Sequence, residues 1–340
     1  MNYIFKIICF LLLTTATHAE LTHKLIGKQL IIGISNYPIH QSWITFIKEN
    51  HISGVIFISD AYKDANHVKE AISAIKKNIN HKMFFCIDQE GGKVNRIKKN
   101  MIQLPAANTI ANHYSEKEAF NLYQKQAKEL ATIGINVNFS PVLDILYDDA
   151  NTVIGSRSYG NNPKTVFNYA KQAINASLLE NILPVIKHFP GHGFTSIDSH
   201  TNMPIHKDIY RLIKTDIVPF KKSINIGAPA IMAAHILYPR IDKKYPASLS
   251  EEIITRYLIK DLKFEGIIFS DDISMGAIQK NFKINDAVIK TIEAGIHQTI
   301  IITPLENLAK IVKKIDNKIK GNKNLRNKIK QNIQIVEKFK

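Results

Sequence analysis

LPVIKHF (Leu183–Phe189) is a short apolar run that turns basic only at Lys187 and His188. Seven residues is strand length rather than helix length. The same construction recurs along the chain. QLIIGIS (Gln29–Ser35), GVIFIS (Gly54–Ser59), MFFCID (Met83–Asp88), VNFSPVLDI (Val137–Ile145), PAIMAAHI (Pro229–Ile236), GIIFSDD (Gly266–Asp272) and QTIIIT (Gln298–Thr303) bring the count to eight. Between them lie stretches of helical period: EAFNLYQKQAKELATIG (Glu118–Gly134), TVFNYAKQAINASLLEN (Thr165–Asn181) and SEEIITRYLIKDLK (Ser250–Lys263). The first two close on glycine or asparagine; the third opens on Ser250, a natural N-cap, with two glutamates in its first turn. Strands that are apolar throughout need cover on both faces, as in a parallel sheet. Eight of them at fairly even spacing favour the α/β class and a single closed (β/α)8 barrel of the TIM type over an open doubly wound sheet. No G-x-G-x-x-G follows the first run, which weakens a dinucleotide-binding reading.

The polar motifs stand after the strands. DQEGGKVNR (Asp88–Arg96) follows the third, LDI ends the fourth, and IGSRSYG (Ile154–Gly160) lies beyond it. KHFPGHG (Lys187–Gly193), HILYP (His235–Pro239) and SDD (Ser270–Asp272) end the fifth, sixth and seventh. That is the C-terminal rim of a barrel, where this fold keeps its active site. Polar groups converging on one rim are the strongest functional signal in the chain, since each would be costly to bury without a purpose.

Asp271 and Asp272 are adjacent, so on a regular strand they point to opposite sides and only one aims down the barrel axis. Asp198 and His200 stand two apart in a glycine- and serine-rich loop. They form either a carboxylate–imidazole pair suited to proton transfer or a run of surface polar residues. Asp88, Arg96, Arg157, Lys187 and His188 share the rim and form a candidate cradle for a hydroxylated or anionic ligand, some of the cations pairing with Asp88 or Glu90 instead. Pro190, Gly191 and Gly193 shape a loop, and His192 reads as a structural histidine. A rival reading is a metal-dependent hydrolase built on His188, His192, His200 and Asp271. The H-x-H expected at the first strand of that class is missing from QLIIGIS. A second rival is a non-catalytic cell-wall-binding barrel.

The remaining signals concern partners and place. The formal net charge is +16, but no basic stretch is interleaved with aromatics. The densest run, KIVKKIDNKIKGNKNLRNKIK (Lys310–Lys330), has isoleucines at helical spacing and reads as the solvated face of a C-terminal basic helix rather than a nucleic-acid surface. At the other end, MNYIFKIICFLLLTTATHAE carries Lys6, an apolar run and the short-residue site THA. These predict a signal peptide over residues 1–19 and a barrel over 20–340, hence export to the periplasm or beyond; the alternatives are an uncleaved anchor and a cytoplasmic protein. Removal of the signal would leave Cys86 as the single cysteine, which forms no internal disulfide.

The combined motifs KHFPGHG, DSH (Asp198–His200), DQEGGKVNR and FSDDISM (Phe269–Met275) resemble glycoside hydrolase family 3, in its bacterial single-domain β-N-acetylglucosaminidase branch. The likeness runs from about Leu30 to the last strand. It implies a (β/α)8 fold and retaining hydrolysis of terminal β-N-acetylglucosamine, with cell-wall fragments as the carbohydrate partner. By motif match, Asp271 would be the nucleophile, His200 the acid/base and Asp198 its partner. Asp88, Arg96, Arg157, Lys187 and His188 would bind the sugar. No cofactor or metal, no nucleic acid and no stable membrane insertion is implied, and a monomer is expected. Lys93 and Asn95 stand where this branch often has arginine and glutamine, and the signal-like N-terminus departs from its best-known cytosolic members.

Overall fold

The computed structural model describes residues 25–340, apart from 148–150, 152 and 196. The signal-like segment lies outside the described residues. Eight parallel strands close into a barrel: β1 (Leu30–Ile34), β2 (Gly54–Phe57), β3 (Phe84–Ile87), β4 (Val137–Asn138), β5 (Leu183–Phe189), β6 (Ala230–Ala233), β7 (Ile267–Asp272) and β8 (Gln298–Ile301). Around the ring the order is β1-β8-β7-β6-β5-β4-β3-β2, and β1 pairs with both β2 and β8. The (β/α)8 architecture expected from the eight runs is the one observed. Among the described residues, no helix is long and apolar enough to cross a membrane.

The runs look uniformly apolar because both faces are covered, yet the period of two is there. Ile31, Ile56, Phe84, Cys86, Val137 and Phe269 fill the barrel, while Leu30, Ile32, Val55 and Phe57 pack outward under the helices. Cys86 is one of these fillers. Burial pushes its thiol well above the ordinary range, so it acts as a small hydrophobe rather than a nucleophile.

The helices start and stop where their sequences say. Ser115 and Glu118 form a reciprocal capping box at the head of Glu116–Thr132, and the chain leaves that helix through Gly134 at φ +93°. Asn162 caps Pro163–Leu179, which is followed by the left-handed Asn181. The Ser250 hydroxyl accepts from the Ile253 amide at 3.3 Å, as expected of a cap. The turns after it, Glu252–Asp261, are wound as a π-helix, which the apolar spacing does not announce. The basic C-terminal run also differs from expectation: it is two helices, Leu305–Lys320 and Lys323–Val336. The chain breaks at Gly321, and Asn322 recaps it by accepting from the Leu325 amide at 3.0 Å. Ile311, Ile315, Ile319, Leu325 and Ile329 are buried beneath this pair.

Two strands gain a residue at the rim. β5 meets β6 at Ile186↔Ile231 and again at Phe189↔Ala233, so β5 uses three steps where β6 uses two. β7 likewise runs from Phe269 to Asp272 while β8 runs from Gln298 to Ile300. Such bulges break the strict in–out alternation. They sit at Lys187–His188 and at Ser270–Asp271.

Candidate active site

A cavity of about 440 Å³ opens at the C-terminal end of the barrel. Asp88, Arg96, Arg157, Lys187, His188, Asp198, His200 and Asp271 all border it. Ile56, Phe139, Met232 and Ile300 close its floor. Residues from five different rim segments thus meet in one place, as the motif positions led us to expect.

The cradle is built around Glu90. After β3 the chain turns back through Gly91 and Gly92, both at positive φ, to form a two-stranded ribbon, Gln89–Gly91 with Val94–Asn95. The Asn138 side chain from β4 clamps the ribbon: it accepts from the Gln89 amide and donates to the Gln89 carbonyl, each at 3.0 Å. Glu90 then receives the Arg157 guanidinium as a fork, with Nε and Nη2 both at 2.8 Å. Lys187 Nζ bridges Glu90 at 2.7 Å and Asp88 at 2.8 Å, with its side chain 2% exposed. Burial would raise the Glu90 pKa, but the two cations outweigh it and hold the carboxyl well below the usual range. Arg96 closes the rim with Nη2 at 3.5 Å from Asp88. Two of the cations expected to bind a ligand directly are therefore also spent on Glu90, which the sequence reading treated only as a possible partner.

His188 borders the cavity beside Lys187 because of the β5 bulge. Its orientation comes from Asp144, to which the sequence alone assigns no role. Asp144 is fully buried and accepts from His188 Nδ1 at 2.6 Å and from the His192 amide at 2.7 Å. That places a hydrogen on His188 Nδ1 and leaves Nε2, 3.5 Å from Arg157, toward the cavity. His192 is structural. Burial lowers its pKa to about 4, and its Nε2 lies 3.3 Å from the Ser199 hydroxyl. Gly193 lets this loop lie on β4's exit, since a Cβ there would come within 1.7 Å of the Ile145 carbonyl oxygen.

Asp198 and His200 do form a pair, Oδ1 to Nδ1 at 2.7 Å, and the same oxygen accepts from the His200 amide at 2.9 Å. Burial would raise the Asp198 pKa; the His200 amide and ring reverse this and lower it. The pair is well exposed at the cavity mouth. Its loop is tied to the segment that follows Asp271: the Gly276 amide donates to the His200 carbonyl and the Ala277 amide to the Ser199 carbonyl, both at 3.0 Å. Only glycine fits at 276, because a Cβ would stand 2.5 Å from the Thr201 carbonyl oxygen. At its far end the loop is pinned by His206, whose Nε2 lies 2.9 Å from Asp216 in a fully buried pair.

The β7 bulge brings both Asp271 and Asp272 to the cavity wall, where a regular strand would have turned one away. Their environments separate them. Asp272 Oδ1 accepts from the Ser274 and Ile302 amides at 2.9 and 3.1 Å, and burial raises its pKa to about 6. Burial alone would also raise Asp271. The His235 and His188 rings, the Asp272 amide and Lys187 bring it down to about 2. Burial lowers the His235 pKa, whereas the Asp272 amide and the Lys187 ammonium act whatever the state of that ring. His235 serves by holding the strand end: Nε2 meets the Asp272 carbonyl at 2.9 Å and Nδ1 the Ser248 hydroxyl at 2.7 Å. Among the described residues, no three His, Cys, Asp or Glu side chains converge as a metal site requires. The arrangement offers an ionised carboxylate, an imidazole with its second nitrogen available, and a hydrogen-bonding cradle across the cavity.

Residues 24–337 match the family description "Glycosyl hydrolase family 3 N terminal domain". The chain is 32% identical over 251 residues to the β-hexosaminidase of Hydrogenovibrio crunogenus, covering 72% of this chain and 70% of that one. A glycoside hydrolase family 3 β-N-acetylglucosaminidase from Paenibacillus sp. str. FPU-7 superposes with a TM-score of 0.84 at 26% identity over 93% of this chain; the chain spans only 62% of that longer protein. NagZ from Neisseria gonorrhoeae, in complex with N-trifluoroacetyl-D-glucosamine, superposes with a TM-score of 0.75 at 27% identity, over 90% of this chain and 89% of that one.

Proposed function

The chain belongs to glycosyl hydrolase family 3 and is a glycoside hydrolase, and from that premise we propose that it is a retaining exo-β-N-acetylglucosaminidase releasing terminal N-acetylhexosamine from cell-wall fragments. The observation that carries this reading is the pairing, in one cavity, of the low-pKa carboxylate Asp271 with the Asp198–His200 dyad. The names of the H. crunogenus and N. gonorrhoeae relatives support the sugar.

Asp88, Arg96 and His188 hold the hydroxyls of the terminal sugar, and Lys187 and Arg157 hold the carboxylates of the cradle. An Asp271 oxygen attacks the anomeric carbon as the bond to the leaving oxygen breaks. The His200 imidazolium gives that oxygen its Nε2 proton, and Asp198 steadies the ring through Nδ1. The sugar is then an ester of Asp271. Neutral His200 takes a proton from water, whose oxygen attacks the same carbon, and the Asp271 carboxylate departs with the bonding pair. Two inversions give retention. One imidazole can serve in both directions, as acid in the first step and as base in the second.

We propose that the enzyme acts outside the cytoplasm, on the strength of residues 1–19, and as a monomer. The test is hydrolysis of 4-nitrophenyl N-acetyl-β-glucosaminide and of muropeptides, with mass spectrometry of the products. Asp271→Ala should abolish turnover with the fold intact. A 2-acetamido-5-fluoro glycoside should label the peptide that holds Asp271; labelling elsewhere, or inversion at the anomeric carbon, refutes the mechanism. N-terminal sequencing of the native protein should begin near Glu20.

A further inference from the structure

The loop that carries the dyad leaves β5 at Gly191 and returns at His206, whose amide donates to the Leu237 carbonyl beyond β6 at 2.9 Å. Both ends stand on one cluster of rings. Tyr238, buried after β6, donates its hydroxyl to the Gly191 carbonyl at 2.8 Å and stacks on His206 with 5.4 Å between ring centres. His206 in turn lies 4.8 Å from the Phe194 ring. Phe194 and His206 therefore touch, although the dyad lies between them in the chain.

Phe194 has a second set of neighbours. Arg211, at the end of the short helix Ile209–Arg211, holds its guanidinium carbon 3.4 Å from the centre of the Tyr147 ring and 4.7 Å from that of Phe194. Tyr147 comes from the exit of β4 and meets Phe194 edge-on at 6.2 Å. Asp208 fixes the turn from which Arg211 projects by accepting from the Arg211 amide at 2.9 Å. A planar cation lies flat against an aromatic face, attracted by the ring's negative centre, and one guanidinium can serve two rings at once. Arg211 thus joins the exit of β4, the first residues of the dyad loop and the segment that follows it. The apolar side chains of the loop bury little surface themselves: Phe194, Ile197 and Ile205 are 38%, 44% and 43% exposed. Fixed points at the ends of the loop accordingly carry much of its placement. The residues that border the cavity include Asp198 and His200 but not Tyr147, Phe194 or Arg211, so this clamp reaches the substrate only through the loop.

We infer that Arg211 is a positioning residue for the dyad: by holding Phe194 against Tyr147, it sets where Asp198 and His200 stand relative to Asp271. The inference rests on the acid–base role proposed above for His200 and adds what aims it.

Arg211→Met keeps the length of the side chain and removes its charge and its plane. The assay is kcat/KM over a series of aryl N-acetyl-β-glucosaminides, in the wild-type and in the His200→Ala background. The productive placement of the loop loses two ring contacts, which lowers the competent fraction by about 5- to 30-fold. We expect that loss on the poorest leaving groups and less than a twofold loss on the best, which departs without a proton and also reports that the variant folds. Added to His200→Ala, Arg211→Met should cost less than twofold on every substrate. Phe194→Leu, which removes the other face of the contact, should show the same pattern as Arg211→Met, and Phe194→Tyr should keep wild-type rates. An equal loss for all leaving groups, a further loss in the His200→Ala background, or no loss at all overturns the inference. A His200→Ala enzyme whose own losses do not depend on the leaving group would instead refute the acid–base reading, and the positioning role would fall with it.

Discussion

Replacing Asp144 by asparagine exchanges one carboxylate oxygen for an NH2 group in a site with no room for another donor. Asp144 accepts from His188 Nδ1, the His188 amide and the His192 amide, at 2.6, 3.2 and 2.7 Å. Burial would raise its pKa, yet the two histidines hold it below the usual range, so the carboxylate is charged. Hydrogen bonds to a charged group contribute about 1.5–3 kcal/mol each, and a buried donor left without a partner costs about 1–3 kcal/mol. Asparagine keeps one acceptor and sets its own N–H against at least one donor, so the loss should be about 3 kcal/mol. At roughly 2–4 °C per kcal/mol for a chain of this size, Tm should fall by about 6–12 °C. The surviving enzyme should lose about 10- to 160-fold in kcat/KM, because the His188 tautomer is no longer fixed; that range is the same 1.5–3 kcal/mol read as a rate. The loss should be the same for good and poor leaving groups, since His188 touches the sugar and not the departing oxygen. The assay is kcat/KM over a series of aryl N-acetyl-β-glucosaminides, beside scanning calorimetry. An unchanged Tm would show that Asp144 does not hold these donors, and a loss that grew with leaving-group pKa would put His188 in proton transfer.

His200→Ala should behave in the opposite way: most activity lost on poor leaving groups, less in the first step on activated aryl glycosides, and turnover speeded by azide. Proton-transfer assistance is worth about 10²–10⁴-fold, and equal kcat/KM losses across the series would return His200 to a binding role. The buried His206–Asp216 pair should be destabilised by about 1–3 kcal/mol in Asp216→Ala, which leaves the buried His206 Nε2 without its partner, and by clearly less in a His206→Phe/Asp216→Leu double variant that replaces both by apolar groups; additive Tm losses would argue against coupling. Stability should also fall on the acid side. Burial lowers His192 and His297 to about 4 from an unfolded value near 6.5, so their contribution is complete above pH ~6.5 and is lost as pH falls toward 4. Asp272, raised to about 6, has the opposite sign and offsets part of the fall between pH 6 and 4. Tm measured from pH 4.5 to 8 should show the decline, and His297→Asn should flatten it; an unchanged slope in that variant would remove His297 from the account.

The barrel was legible because apolar runs such as GVIFIS and GIIFSDD repeat at strand length, and because their polar residues fall at one end. The Asp198–His200 pair was legible because it is local, two residues apart in one loop. Asp144 was not. Its partners His188 and His192 stand 44 and 48 residues away, and nothing in LDI distinguishes a buried acceptor from any other rim aspartate. Glu90 was half-read for the same reason: its importance comes from Lys187 and Arg157 arriving from two other strand exits. The division of the basic C-terminal run had a signal that went unused, since Gly321 followed by Asn322 is a stop and a cap in succession. The π-wound turns at Glu252–Asp261 had none, because the buried Ile253, Ile254 and Leu258 stand at spacings that an ordinary α-helix also uses.

The extra residue in β5 makes the site depend on a count as well as on chemical identity. Lys187 and His188 both border the cavity because one residue has been added to the strand opposite Ile231–Ala233. Deleting either residue between Ile186 and Phe189 would restore regular pairing and leave one position opposite Met232 where the rim now has two, so the cavity would lose one of its two side chains. A comparison of related chains that opens a gap within these four positions would therefore match residues that stand at different places on the rim. The same holds for anyone grafting this rim onto another barrel: the loop can be carried over whole, but only together with the strand's irregular step, because the step is what aims it.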